Sequence, residues 1–216
     1  MKAIVFDFDG VLADSEPLHL ATYQEVLAPL GVTLTREEYY TGYLGYNDED
    51  VFAHLGAAKG WTMDARAVAA LIEEKTRVFD AIIARTDVLY PGAAECIERL
   101  AAEFPLGIAS GAMRHEIEMI LKRATLDQHF RFIVGSGDTA SSKPAPDPYL
   151  RAATLHGLAP AECVAIEDSR WGIESAKTAG MKCVAITNTY PASQLTTADA
   201  VIASLDEFTA EMVRRL

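Results

Sequence analysis

The chain is predicted to form an α/β protein with a parallel sheet and an inserted helical domain. Three patterns predict this: short apolar runs that end in polar residues, helical patterns that alternate with them, and a stretch of helical patterns alone near the start. Strands that alternate with helices form βαβ units, which build a mainly parallel sheet. Right-handed crossovers then bring the carboxyl ends of the strands to one edge.

Six apolar runs predict buried strands, because runs this short and this apolar are typical of parallel sheets. They cover residues 3–6, 106–109, 132–134, 164–166, 183–186 and 201–203. Four helical patterns lie between these runs. One begins at residue 91, two cover residues 116–123 and 169–179, and one follows residue 147. Asp147 is predicted as an N-cap with Pro148 at the first helical position, and Gly180 ends the last of these helices.

Residues 15–88 interrupt this alternation. Helical patterns cover residues 17–30, 35–41, 48–59 and 64–85, and no convincing strand lies among them. We therefore expect a core domain of residues 1–14 and 89–216 and a helical cap domain of residues 15–88. An insert that follows the first strand is well placed to close over a site at the strand ends, as a lid does.

Composition narrows the choice of partners. The 216 residues carry a formal charge of −12, which argues against nucleic acid and anionic membranes. No apolar stretch reaches the roughly 18 residues that a membrane span needs, and the N-terminus lacks a signal-peptide pattern. Cys96, Cys163 and Cys183 form no CxxC motif and are expected to be reduced core residues. We expect a cytoplasmic monomer.

Acidic residues follow two of the predicted strands. Asp7 and Asp9 come after the first, and Glu167 and Asp168 end the fourth. Four carboxylates in one cleft repel one another unless a cation neutralises them. Mg²⁺ takes oxygen ligands and binds through a few carboxylates together with phosphate. The pattern therefore suggests a magnesium site for phosphoryl transfer.

Two further signals would supply contacts to phosphate. Ser110 and the backbone N–H groups near Gly111 follow another strand and can hold phosphate oxygens. Lys143 lies on a proline-rich segment, residues 142–148, that is predicted to be extended and to aim the lysine inward. Taken alone, Ser110-Gly111 would be an ordinary turn, Lys143 a surface lysine and Glu167-Asp168-Ser169 a helix start. Only the joint occurrence of these signals favours catalysis.

Taken together, these motifs resemble those of the haloacid-dehalogenase-like superfamily. The resemblance is to its phosphatase and β-phosphoglucomutase-like branch, whose members have a helical cap. The resemblance lies in four motifs: Asp7-Phe8-Asp9-Gly10-Val11, Ser110-Gly111, Lys143-Pro144-Ala145-Pro146-Asp147 and Glu167-Asp168-Ser169. It implies a three-layer, Rossmann-like core with a parallel sheet. It also implies that Asp7 is the nucleophile, through a phosphoaspartate, and that Asp9 is the general acid and base.

The resemblance further implies how the remaining site residues are used. Asp7, the backbone carbonyl of Asp9 and Asp168 would hold Mg²⁺, with Glu167 in or next to that shell. Ser110 and Lys143 would bind phosphate.

The resemblance leaves the choice between a phosphatase and a phosphosugar mutase to the cap and the loops. His19 stands where a β-phosphoglucomutase also has a histidine, but residues 41–48 lack the cap arginine that grips the mutase's second phosphate. Lys75 and Arg77 are possible substitutes for that arginine, and Arg114 stands where the mutase has an asparagine. We expect hydrolysis of a small phosphorylated metabolite, such as a sugar phosphate, with the mutase as the alternative. Gly10, His19, Lys75 and Arg114 are the candidate substrate contacts.

Two other classes of protein fit less well. Residues 135–140 loosely match a dinucleotide-binding G-x-G-x-x-A motif, but such a motif must open a helix, and this one leads into the proline-rich segment. A phospho-accepting signalling domain also combines acids, a hydroxyl and a lysine. It needs neither the second acid, Asp9, nor a long helical insert.

Overall fold

The computed structural model describes residues 1–43, 46, 48–61 and 64–216. Leu44, Gly45 and Asn47, which belong to the stretch without an arginine at 41–48, lie outside the described residues, as do Thr62 and Met63.

The chain divides into two compact units. One comprises Met1–Asp14 and Asp87–Leu216, and the other comprises Ser15–Thr86. All six strands found in the described residues belong to the first unit, which is called the core unit below. The second, called the cap unit, contains only helices among its described residues. That the cap unit acts as a lid stays a prediction.

The six strands of the core unit form one parallel sheet in the order β3-β2-β1-β4-β5-β6. They are β1 (Ala3–Phe6), β2 (Leu106–Ala109), β3 (Phe130–Val134), β4 (Cys163–Glu167), β5 (Lys182–Ile186) and β6 (Ala200–Ile202). The predicted α/β fold with a parallel sheet is therefore confirmed. β3 begins two residues before the apolar run because Phe130 already pairs with Leu106 of β2.

Nine α-helices accompany the sheet across the described parts of both units. They are α1 (Glu16–Leu27), α2 (Arg36–Gly42), α3 (Asp48–Lys59), α4 (Ala65–Ile83), α5 (Ala93–Ala101), α6 (Arg114–Arg123), α7 (Asp147–His156), α8 (Arg170–Thr178) and α9 (Ala210–Arg215). The sequence pattern did not predict α9, which has only six residues. Such a short helix shows too little periodicity to be found from sequence.

Both faces of the sheet are buried, so its strands are continuous apolar runs and do not alternate. On one face, Val5 of β1 and Ala165 of β4 belong to a cluster with Tyr149 of α7 and Ile173 of α8. On the other face, the ring of Phe6 contacts those of its two aromatic neighbours edge-on. The ring centroids lie 6.1 Å from Phe130 and 6.0 Å from Phe208.

The start of α7 differs from the sequence prediction. Asp147 is the first helical residue, and Pro146 occupies the N-cap position with no side-chain capping bond. The N-cap prediction for Asp147 was therefore wrong. Pro146 has φ −74° and ψ −9°, a helical conformation that proline adopts readily, so the helix begins one residue earlier.

The cap unit has its own hydrophobic core. Tyr23 and Leu27 of α1 pack in one cluster with Phe52 and Leu55 of α3 and Val78 of α4. The side chain of Asp64 caps α4 by accepting a hydrogen bond from the backbone N–H of Ala67, 2.8 Å away. Local capping and an apolar face together explain why the pattern of α4 was recognisable as a helix.

Two predictions from composition can be compared with the structure. The three cysteines, Cys96, Cys163 and Cys183, are free and buried, as expected of core residues. Among the helices that the structure describes, none combines the length and the apolar character that crossing a bilayer requires.

The packing of α8 on the sheet gives a stability prediction. Ile173 is fully buried, so Ile173→Ala removes packed methyl groups and leaves a cavity. We expect the free energy of unfolding to fall by roughly 2–5 kcal/mol in chemical denaturation. Leu155→Ala is the matched control, since Leu155 is 40% exposed, and should change it by less than about 1 kcal/mol. Equal losses in the two variants would contradict this packing.

Candidate active site

Asp7 lies directly after β1, where the sheet places it between neighbouring strands. Its backbone N–H donates to the carbonyl of Ile166 in β4 at 3.0 Å. Its Oδ1 atom accepts a hydrogen bond from the N–H of Phe8 at 2.8 Å. Asp7 is buried, so these contacts hold the carboxylate in one orientation.

β4 brings two more carboxylates to the same place. One carboxylate oxygen from each of Asp7, Glu167 and Asp168 lies within 4.8 Å of the other two, and all three residues are buried. The parallel pairing of β1 with β4, in which Phe6 faces Ile166, explains this proximity. Acids that are 160 residues apart in the chain become neighbours because both follow paired strand ends.

Lys143 supplies the positive charge of this cluster. Its Nζ atom lies 2.9 Å from Oδ1 of Asp7 and 2.6 Å from Oε1 of Glu167. The segment that carries Lys143 is a turn, closed by the bond from the Ala145 N–H to the Ser142 carbonyl at 3.0 Å. The prediction of an extended segment was therefore wrong, because proline also suits turns. The Lys143–Pro144 peptide bond is cis.

The buried charges shift one another's ionisation. Burial, and then the charge of Asp7, raises the pKa of Glu167. Burial, and then the charges of Glu167 and Asp7, raises the pKa of Asp168 to about 8. Burial alone would lower the pKa of Lys143, but the charges of Asp7 and Glu167 outweigh burial and raise it.

The donor set fits a divalent cation. Three carboxylates against one ammonium leave a formal excess of two negative charges in a buried cluster. Oxygen ligands in a small group of carboxylates are what Mg²⁺ takes in proteins. Burial, and then the negative charges of Glu167 and Asp7, opposes the ionisation of Asp168 and raises its pKa, and a bound cation would favour the ionised form.

Gly10 allows the chain to pass close to Asp168. Its φ is +76°, and a Cβ atom added there would lie 1.9 Å from Oδ2 of Asp168. The side-chain amide of Asn188 donates to the Gly10 carbonyl at 2.9 Å, and the hydroxyl of Thr189 bonds the Asp168 carboxylate. Gly10 therefore allows the backbone to pass close beside the Asp168 carboxylate. Whether it contacts substrate stays a prediction.

Sequence reasoning missed three residues around this cluster. Asn188 and Thr189 follow β5, and polar residues directly after a strand were the available signal. Tyr149 donates its hydroxyl hydrogen to Oε1 of Glu167 at 2.7 Å. No sequence signal marks Tyr149, because a buried tyrosine on a helix is ordinary core material.

Asp9 lies in the turn that follows β1. This turn is closed by hydrogen bonds from the N–H groups of Leu12 and Ala13 to the carbonyl of Phe8, and Asp9 forms a backbone bridge with Ala13. Asp9 is half-buried, two residues beyond Asp7. Its role as an acid and base stays a prediction.

Ser110 and Gly111 lie at the end of β2, the strand next to β1. Ser110 is 5% exposed, and its Oγ accepts a hydrogen bond from the N–H of Ala112 at 3.3 Å. Gly111 is exposed, and a Cβ atom added there would meet nothing within 4 Å. An exposed turn of this kind leaves room for a ligand next to its backbone.

Arg114 is paired with an acid of the core unit. Its guanidinium lies 2.6 Å from Oδ2 of Asp138, which also accepts the N–H of Gly135 at 2.7 Å. Arg114 thus ties the start of α6 to the loop after β3. Residues 135–146, which follow β3, contain no helix, whereas a dinucleotide-binding motif must open one.

His19 and Lys75, the two candidates from the cap unit, contact each other there. Nζ of Lys75 lies 3.1 Å from Nδ1 of His19 and 2.8 Å from Oδ1 of Asp48. Tyr23 donates to the same Asp48 oxygen, and the His19 ring stacks on Phe79 at 4.3 Å. Lys75 is 3% exposed, and Asp48 balances its charge inside the cap unit.

This environment gives a pH prediction. Burial, and then the charge of Lys75, lowers the pKa of His19 to about 3, whereas an unfolded histidine titrates near 6.5. Between these values the unfolded state binds more protons, so stability is full above pH 6.5 and falls toward pH 3. Lys75 and Phe79 contact the His19 imidazole, and the charge of Asp48 partly opposes the lowering of its pKa.

We therefore expect His19→Asn to reduce the loss of melting temperature between pH 7 and pH 4.5 by roughly 5–10 °C. Calorimetry of both proteins at the two pH values measures this. The exposed His54 provides the control, and His54→Asn should keep the wild-type pH dependence. The same pH dependence in His19→Asn and wild type would show that His19 does not resist protonation.

Comparisons with known proteins identify the family. Residues 4–186 match the family model described as haloacid dehalogenase-like hydrolase. The chain belongs to this family. It is 35% identical to protein CbbY of Rhodobacter capsulatus, over 88% of this chain and 87% of that protein. It is 31% identical to hexitol phosphatase B of Escherichia coli strain K12, over 97% and 95%.

A mutase is also among the relatives. The chain is 28% identical to β-phosphoglucomutase of Bacillus subtilis, over 99% of this chain and 94% of that protein. Among solved structures, CbbY from Rhodobacter sphaeroides in complex with phosphate has a TM-score of 0.86, with 28% identity and full coverage of both chains. The predictions of family and fold are confirmed, and the relatives that are named as phosphatases, such as hexitol phosphatase B, bear out the predicted enzyme class.

Proposed function

We propose that this hydrolase is a Mg²⁺-dependent phosphatase that removes phosphate from a small phosphorylated metabolite through a phosphoaspartate on Asp7. One observation carries the proposal: the Lys143 ammonium bridges Asp7 and Glu167 inside a buried cluster of three carboxylates. An anionic nucleophile can approach an anionic phosphate only where positive charge offsets the repulsion.

Asp7 is the nucleophile in this proposal. The Phe8 N–H and Lys143 both hold Oδ1, so we assign the attack on phosphorus to Oδ2. The new bond joins Oδ2 to phosphorus, and the bond from phosphorus to the ester oxygen breaks. Water then attacks the phosphoaspartate and releases inorganic phosphate, which restores Asp7.

Asp9 moves the protons. It donates its proton to the departing alkoxide, and as a carboxylate it then accepts a proton from the attacking water. One cycle thus returns Asp9 to its protonated form. Ser110, the N–H groups near Gly111 and Lys143 hold the non-bridging phosphate oxygens.

Asp7, Asp168 and the Asp9 backbone carbonyl are the residues that would hold Mg²⁺, which when bound neutralises charge on the phosphoryl group. We place Glu167 next to these ligands. Its Oε1 accepts from Lys143 and Tyr149, and its Oε2 accepts from Ser169 at 3.2 Å. With both oxygens engaged, its task is to anchor Lys143.

A phosphorylated sugar or sugar alcohol is the proposed substrate class. Hexitol phosphatase B is one relative, and a solved CbbY structure contains xylulose-(1,5)bisphosphate, with a TM-score of 0.83 and 28% identity. The β-phosphoglucomutase relative supports a mutase as the second candidate. The pairing of Lys75 with Asp48 favours hydrolysis, since it leaves this lysine without excess positive charge for a second phosphate.

We further propose that the enzyme is monomeric and cytoplasmic. Three free, buried cysteines fit a reducing compartment.

A phosphate-release assay over a panel of sugar and hexitol phosphates tests the activity. We expect Mg²⁺-dependent release from at least one substrate, abolished by EDTA and restored by Mg²⁺. Glucose 1-phosphate is included with detection of glucose 6-phosphate, because a mutase would form it. Isomerisation that outruns phosphate release would instead establish the second candidate.

Asp7→Asn is the companion variant. It should lower phosphate release at least about 10³-fold, equal to roughly 4 kcal/mol of barrier, because an amide is a poor nucleophile. Asp127→Asn alters an exposed aspartate remote in sequence from the motifs and should keep wild-type activity. If Asp7→Asn retained a tenth of the activity, Asp7 would not be the nucleophile.

Asp9→Asn separates the acid role from binding. We expect turnover of an alkyl phosphate to fall roughly 10²–10⁴-fold, since its leaving group needs a proton. Formation of the phosphoenzyme from p-nitrophenyl phosphate, whose leaving group needs none, should suffer much less. Rapid-quench measurement of the phosphoenzyme compares the two substrates, and equal losses for both would refute the acid role.

A further inference from the structure

Tyr149 contacts the cluster of Lys143 and the three buried carboxylates from inside the core. It is the third residue of α7, and its side chain is fully buried between this helix and the sheet. Its neighbours in the packed cluster are small or aliphatic, among them Ala165 and Ile173. Phenylalanine would fill the same space, so the hydroxyl group requires a separate explanation.

The hydroxyl has one strong partner. It donates to Oε1 of Glu167 at 2.7 Å, the same oxygen that accepts from Lys143 at 2.6 Å. Burying a hydroxyl is costly unless it forms such a bond. Burial and the neighbouring Glu167 raise the pKa of Tyr149 well above its ordinary value, so the hydroxyl remains a donor at neutral pH.

The ring has a second contact. Nζ of Lys143 lies 5.2 Å from the centroid of the Tyr149 ring, within the range of a cation–π interaction. Tyr149 therefore contacts both partners of the Lys143–Glu167 ion pair. Its hydroxyl bonds the acid, and its ring lies beside the ammonium.

The remaining contacts of Glu167 close the arrangement. Ser169 donates to Oε2 at 3.2 Å. Gly172 leaves space for the carboxylate, since a Cβ atom there would lie 1.9 Å from Cδ of Glu167. Glu167 is thus held by Tyr149, Ser169 and the start of α8, and Lys143 is held by Glu167 and Asp7.

We propose that Tyr149 is a positioning residue for the Lys143 ammonium. Its hydroxyl fixes the Glu167 carboxylate and its ring limits movement of the ammonium, so that Lys143 meets the phosphoryl group beside Asp7. The inference rests on the proposed phosphatase function, because it deepens the account of the same site. It predicts that the hydroxyl affects phosphate affinity and turnover and leaves the metal requirement unchanged.

Tyr149→Phe tests this, since it removes the hydroxyl and keeps the ring. In calorimetric titration of the Mg²⁺-loaded protein, we expect the dissociation constant for inorganic phosphate to rise roughly 3–10-fold. This is less than the full cost of a hydrogen bond to a charged group, because the hydroxyl acts on phosphate only through Glu167 and Lys143. The value of kcat/KM should fall by at least the same factor. The Mg²⁺ concentration for half-maximal activity should change less than twofold.

Tyr39→Phe is the matched control. Tyr39 is also buried, and it donates to Glu16 at 2.7 Å within the cap unit. Both variants should lower the melting temperature, but only Tyr149→Phe should weaken phosphate binding. Unchanged phosphate affinity and kcat/KM in Tyr149→Phe would reduce Tyr149 to a packing role and overturn the proposal. A shift confined to the Mg²⁺ requirement would overturn it as well.

The two proposals fail in different ways. A wild-type protein that binds phosphate but hydrolyses no ester would refute the phosphatase, and the binding comparison would still decide the role of Tyr149. A wild-type protein with normal turnover and a Tyr149→Phe variant that matches it would refute only the role of Tyr149.

Discussion

A buried lysine between two carboxylates is the constraint on which the core unit's site depends. Lys143 lies between Asp7 and Glu167. Asp7 directly follows β1, Lys143 lies in a turn, and Glu167 ends β4. Taking each charge out of water costs several kcal/mol, so the arrangement is stable only while all partners are in contact. Removing the ammonium would leave two buried carboxylates facing each other. The three charged groups therefore meet only if the register of the sheet, the turn after Ser142 and the start of α7 are all formed correctly.

The same constraint explains why particular positions lack side chains. The carboxylates are close to backbone segments as well as to one another, and two glycines make room for them. Gly10 lies against Asp168, and Gly172 in the first turn of α8 lies against Glu167. Any larger residue at either position would displace a charged group of the cluster. These glycines thus belong to the electrostatic arrangement as much as to the backbone geometry.

The two units handle buried charge differently. In the cap unit, Lys75 is offset by Asp48, and His19 is kept neutral beside it. In the core unit, three carboxylates outnumber one lysine, and the pKa of Asp168 rises to about 8. Excess negative charge is thus a property of the core cluster, which is where a divalent cation and a phosphate would complete the balance. In the cap unit, Asp48 already balances the charge of Lys75, as expected of an ion pair that holds the cap helices together.

The sequence by itself determined the strands, most helices and the motif positions, because apolar runs, prolines and capping residues act locally. It also indicated that acids at paired strand ends would meet, since parallel topology requires it. Only the tertiary structure decided that Lys143 sits in a turn, that α7 begins at Asp147, that Arg114 pairs with Asp138, and that Tyr149 bonds Glu167. Each of these depends on a partner distant in the chain, and the direction of a buried side chain is set by what packs around it.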